Sequence, residues 1–152
     1  MSPLRVLLAD DHALFREALR MVLDLTPDIE VVAEVESGLQ VLEEVDRSRP
    51  DIVCMDVNMP GLNGVDATRK LQSAYPAVKV IGLSAHVDLP RVAAMCQAGA
   101  VGYVVKGSAG AELPSAIRQA VLNQNYFSPE LRIDHVTELS QHLLGSVAPQ
   151  LP

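Results

Sequence analysis

DIVCMDVNMPGLNG, residues 51–64, joins a short apolar run to an aspartate and then to a loop. After its first residue, Asp51–Met55 is continuously apolar, which suits a strand covered on both faces. Asp56 stands where that strand stops, and the Pro and Gly of NMPGLNG mark a loop. Val65–Ala74 has helical spacing and ends before Pro76. The unit is therefore a strand, a loop and a helix, with an acid at the carboxyl end of the strand.

Working outward, the same unit recurs. Upstream, Leu4–Ala9 is a strand candidate that meets Asp10 and Asp11. Residues 12–25 place Leu14, Phe15, Ala18, Leu19, Val22 and Leu23 at helical spacing, and Pro27 closes the helix. Ile29–Val35 is β-branched and strand-like. Ser37 caps a helix carrying Leu39, Val41, Leu42 and Val45, and Pro50 stops it. Downstream, Val78–Leu83 is a strand, residues 90–98 are a helix ended by Gly99, and Val101–Val105 is another strand. Residues 111–123 form the next helix, in which Pro114 is tolerable near the first turn.

Strand–helix repeats of this kind predict an α/β fold with helices on both faces of a parallel sheet. The arrangement expected is flavodoxin-like (CheY-like), a doubly wound five-stranded sheet in the order 2-1-3-4-5 with five helices. In such sheets the functional crevice lies at the carboxyl ends of the strands. We place this domain at residues 1–125. Over 126–152, Ser128-Pro129 resembles a helix start, and Ile133, Val136, Leu139, Leu143 and Leu144 form an apolar stripe. That segment is expected to be a linker helix and a disordered tail.

Composition narrows the function. The chain has 152 residues, 49% of them hydrophobic but only 3% aromatic, so its core is aliphatic. A net charge of −7 repels phosphate backbones and argues against direct nucleic-acid binding by this segment. No stretch approaches the roughly 20 apolar residues of a membrane span, and the start lacks the pattern of a signal peptide. Cys54 and Cys96 form no CxxC and suggest no disulfide framework. A cytoplasmic protein is expected.

The strand ends carry the chemistry. Asp10-Asp11, Asp56, Ser84 and Lys106 follow four different strands and would converge at one edge of the sheet. Three carboxylates so close repel one another, and a hard divalent cation relieves the conflict. Mg²⁺ suits an oxygen site with one or two direct carboxylates and a phosphoryl group. Lys106 adds a second positive charge. A carboxylate held between a cation and a lysine is suited to act as a covalent nucleophile toward phosphorus. His12 is set aside as a ligand, because imidazole is a poor partner for Mg²⁺.

LADDHALFREAL at 8–19, DIVCMDVNMPGLNG at 51–64, Ser84-Ala85 and AGAVGYVVKG at 98–107 closely resemble response-regulator receiver domains, and among them the NarL/FixJ (LuxR-type) group. The likeness covers about residues 4–125. It implies a two-component switch rather than an enzyme, beyond Mg²⁺-dependent phosphorylation and dephosphorylation of itself. Asp56 would accept the phosphoryl group from a sensor histidine kinase. Asp11 would bind Mg²⁺ directly, Asp10 mostly through water, and Asn58 through its backbone carbonyl. Ser84 would hydrogen-bond the phosphoryl group and Lys106 would pair with it. Tyr103 would be the aromatic switch that turns inward when Ser84 moves, and Asn58 and His86 would tune the phosphoryl lifetime. Gly107 stands where many receivers have Pro after the lysine.

Relatives of this group usually carry a C-terminal helix-turn-helix domain. The resemblance therefore implies control of transcription, with DNA bound by a domain absent from this chain and a possible homodimer on phosphorylation. A free-standing receiver acting through protein contacts is the alternative. An Asp-nucleophile phosphatase of the haloacid dehalogenase kind would want Asp-x-Asp on one strand. A flavodoxin would want a hydroxyl-rich phosphate loop where Asp10-Asp11 stand.

Overall fold

Strands with no polar face need cover on both sides, and the computed structural model, which describes residues 2–85 and 87–129, provides it. The order is β1 (Leu4–Ala9), α1 (Ala13–Asp24), β2 (Ile29–Val35), α2 (Gly38–Ser48), β3 (Ile52–Asp56), α3 (Gly64–Ala74), β4 (Lys79–Ser84), α4 (Leu89–Ala98), β5 (Gly102–Val105), α5 (Ala109–Val121) and β6 (Tyr126–Phe127). All strands are parallel, in the order β2-β1-β3-β4-β5-β6.

Side-chain alternation along each strand feeds two separate cores. Val6 and Leu8 of β1, Ile52 and Cys54 of β3, and Ile81 and Leu83 of β4 pack with Leu19 and Leu23 of α1 and Leu113 and Ile117 of α5. Leu7, Val53, Met55 and Val80 face the other way, against Val41 and Val45 of α2, Leu71 of α3, and Val92 and Met95 of α4. Each such side chain contributes about 1.5–3 kcal/mol by leaving water.

Four features depart from the sequence expectations. The sheet has a sixth strand: Tyr126 and Phe127, beyond the boundary placed at residue 125, pair with Gly102 and Tyr103. The Ser128 hydroxyl, read in the sequence only as part of a helix start, also bonds into the sheet. This buried hydroxyl accepts from the Val105 amide at 2.9 Å and donates to Glu112 Oε1 at 2.7 Å, an oxygen that also accepts from the Tyr126 hydroxyl at 3.0 Å. Pro114 lies in the second turn of α5, because a 3-10 turn at Lys106–Ser108 starts that helix early. Leu14 is 82% exposed rather than core, and with Met21 and Leu25 it forms an outward apolar stripe on α1. His86 and the sixth helix expected after Pro129 lie outside the described residues.

Candidate functional site

The end of each strand is fixed by its neighbours, and that fixes the site. Asp10 follows β1, its amide donating to the Val35 carbonyl at 3.1 Å. Asp56 is the last residue of β3 and pairs in register with Leu83, beside Ser84. Ser84 pairs with Val105, so Lys106 comes next on the neighbouring strand. Gly64 lets α3 begin directly against β3: a Cβ there would lie 2.4 Å from the Asp56 carbonyl oxygen and 2.7 Å from Val57 Cα. A side chain at residue 64 would therefore push the strand end that carries Asp56.

Lys106 Nζ lies between two carboxylates, 2.7 Å from Asp10 Oδ2 and 3.2 Å from Asp56 Oδ2. Nζ also lies over the Phe15 ring, 4.9 Å from the centroid. The Asn58 amide donates to Asp56 Oδ1 at 3.0 Å. Burial raises the Asp56 pKa above the usual carboxylate range, aided by the Asp10 charge and opposed by the Asn58 amide and Lys106. Asp10 and Asp56 are buried, whereas Asp11 and His12 face solvent.

The structure brings Asp10, Asp11, Asp56 and Lys106 together as expected, and it adds His12. Its Nδ1 lies 3.1 Å from Asp10 Oδ1, 3.5 Å from Asp11 Oδ1, 3.8 Å from Asp56 Oδ2 and 3.1 Å from Lys106 Nζ. Ligand atoms of Asp10, Asp11, His12 and Asp56 all lie within 4.8 Å of one another, an arrangement that can hold a metal ion. The three carboxylates offer hard oxygen donors, and buried Asp10 Oδ2 has an ion-pair partner but no aligned hydrogen-bond donor. A hard divalent cation fits such a donor set. The His12 side chain is 65% exposed.

Ser84 and Tyr103 are buried on adjacent strands. The Tyr103 ring already lies inward, in a slot floored by Gly82, where a Cβ would come within 3.1 Å of both the ring and Met95 Cε. Burial pushes the Tyr103 phenol up, against a smaller opposing effect of the Ser84 hydroxyl. The Lys106–Gly107 peptide is trans.

Two contacts escape sequence reasoning. His12 and Phe15 follow the acid pair at helical spacing, a weak signal that both face Lys106. Arg91, at the start of α4, donates through Nη1 to Asn58 Oδ1, and nothing in the sequence announces a contact across 33 positions.

Residues 6–118 match the response regulator receiver domain family. The chain belongs to that family. It is 38% identical over 137 residues to the transcriptional regulatory protein DegU of Brevibacillus brevis, covering 90% of this chain and 58% of that protein. It is 39% identical over 128 residues to the response regulator GacA of Pseudomonas viridiflava, covering 84% and 60%. The receiver thus spans about 60% of the length of these relatives. A crystal structure of a LuxR-family two-component response regulator from Aurantimonas sp. SI85-9A1 superposes with a TM-score of 0.82 at 32% identity, over 92% of this chain and 97% of that one. The receiver fold and the LuxR/NarL grouping are thereby established, and no enzymatic family is indicated. Among the described residues no helix is long and apolar enough to cross a membrane.

Proposed function

We propose that this receiver takes a phosphoryl group on Asp56 from a phosphohistidine of a sensor kinase and switches conformation in response. The position of Lys106 Nζ between Asp10 and Asp56 carries this reading, because it places a fixed positive charge against Asp56 at the end of β3, whose other oxygen is oriented by the Asn58 amide. An Asp56 carboxylate oxygen would attack phosphorus, the phosphorus–nitrogen bond would break, and the imidazole would leave with its bonding pair. The new acyl phosphate has one negative charge more than the carboxylate it replaces. Asp10, Asp11, Asp56 and the Asn58 carbonyl would hold Mg²⁺, which when bound supplies charge neutralisation for the transferring group. Lys106 then pairs with a phosphoryl oxygen, and Ser84 donates a hydrogen bond to another. Tyr103 would hold the switched state through its inward ring, and His86 would help tune the lifetime.

The stripe of Leu14, Met21 and Leu25 begins beside His12, at the mouth of the site. We assign it to the helices of the donor kinase, whose phosphohistidine it would bring to Asp56. One relative is named a transcriptional regulatory protein, and this receiver would likewise control transcription, from the cytoplasm and through a helix-turn-helix region that binds DNA. Paired DNA half-sites favour a phosphorylation-driven homodimer. Residues 1–125 and the strand that follows would act as the switch, and the segment beyond as the linker.

Intact-mass spectrometry after incubation with acetyl phosphate and Mg²⁺ tests the acceptor. The chain is expected to gain one phosphoryl group, and Asp56→Asn to gain none. A mass gain that persists in Asp56→Asn would identify another acceptor.

A further inference from the structure

Asp88 caps α4 by accepting from the Arg91 amide at 3.3 Å, and its carboxylate also lies 3.5 Å from Arg91 Nε. The guanidinium is thus held at its inner edge while Nη1 reaches across to Asn58 Oδ1 in the β3–α3 loop. A guanidinium only donates, so the amide face it meets must be the oxygen. The one acceptor atom of the Asn58 side chain therefore has one of its two lone pairs taken by a cation, which makes it a poorer acceptor for other groups, and its NH₂ offers only donors. The Asn58 backbone amide is itself bonded to Asp56 Oδ1, so the residue that carries this side chain is anchored at the phosphoacceptor.

Hydrolysis of an aspartyl phosphate needs a water whose oxygen attacks phosphorus while the water gives up a proton. The phosphorus–oxygen bond to Asp56 then breaks, and inorganic phosphate leaves. A nearby acceptor helps that water, whereas a nearby donor does not. We propose that Arg91 is a positioning residue that lengthens the life of the phosphoryl group by holding Asn58 Oδ1 toward itself and weakening it as an acceptor for the attacking water. The proposal rests on Asp56 as the phosphoacceptor. Arg91 and Asp88 are 43% and 36% exposed, so the pair contributes little to stability and its role is kinetic.

The test is the decay of phosphoryl label after removal of acetyl phosphate, with Mg²⁺ present. Arg91→Ala is expected to lose the label on the order of fivefold faster, the effect of one neutral hydrogen bond. Arg91→Lys, which keeps a donor, should restore part of the lifetime. In an Asn58→Ala background the same Arg91→Ala change should have no further effect. In metal-free protein, Arg91→Ala should also shift the Asn58 side-chain amide resonances. Equal or slower decay in Arg91→Ala, or equal acceleration with and without Asn58, would overturn the proposal alone. Absence of label on the unsubstituted chain would overturn the reading of Asp56 as well.

Discussion

Replacing Ser128 by Ala removes one oxygen and strands two partners. The Val105 amide, buried in β5 next to Lys106, loses its acceptor at 2.9 Å. Glu112 Oε1 loses the donor at 2.7 Å and keeps only Tyr126 at 3.0 Å. An unsatisfied buried amide costs about 1–3 kcal/mol, and a bond to a charged acceptor is worth about 1.5–3 kcal/mol, part of which water or Tyr126 recovers. The net loss is about 3 kcal/mol. For a domain of this size that lowers Tm by roughly 10 °C. In urea, with a slope of about 2 kcal/mol/M, the midpoint falls by about 1.5 M. Unfolding followed by circular dichroism at neutral pH gives both figures. Tyr126→Phe, which removes only the outer bond to Glu112, should cost about 1 kcal/mol. A Ser128→Ala loss under about 0.5 kcal/mol, the range of an ordinary surface change, would show that the hydroxyl does not hold β6 to the sheet.

The Asp56 carboxyl is held above its ordinary pKa, chiefly by burial, so the folded state keeps its proton longer than the unfolded chain does. The stability this group lends is full below the unfolded value, near 3.9, and is lost as pH rises through the raised folded value. Asp56→Asn should therefore melt a few degrees above the parent at neutral pH without metal, the gap closing toward pH 4; equal melting at neutral pH would contradict the burial argument. Mg²⁺ at ten times its Kd should stabilise the parent by about 1.4 kcal/mol. A thermal melt should show that gain disappear in Asp11→Ala, and a gain retained there would remove Asp11 from the ligand set.

Much of the architecture was legible because buried parallel strands and one-sided helices leave strong periodic patterns. The acids were legible because each terminates a strand, and in a parallel sheet all strand ends of one sense share an edge. What escaped has a common cause. Tyr126–Phe127 is too short for any period to register, and its place in the sheet depends on β5 being present. Ser128 carries a strong helix-start signal, yet its hydroxyl is claimed by an amide 23 positions away. Leu14 fits an apolar spacing as well as Leu19 does, and only the position of α5 decides which of them is covered. His12 was set aside on ligand chemistry alone. The structure places its ring among the carboxylates because it sits at the N-cap of α1, one residue beyond the acid pair. The contact of Arg91 with Asn58 follows from how α4 lies over the β3–α3 loop, which no local pattern specifies.

Asp10, Asp56, Ser84 and Lys106 sit at the ends of different strands, and Lys106 follows the fifth. While the chain is being made, Asp56 emerges long before the lysine that must flank it. On the proposed reading, a partly made or misfolded copy would hold an aspartate but no site, and could neither take a phosphoryl group nor send a false signal. Competence to respond would thus itself report that the sheet has closed correctly, and quality control of the signal would come with the topology.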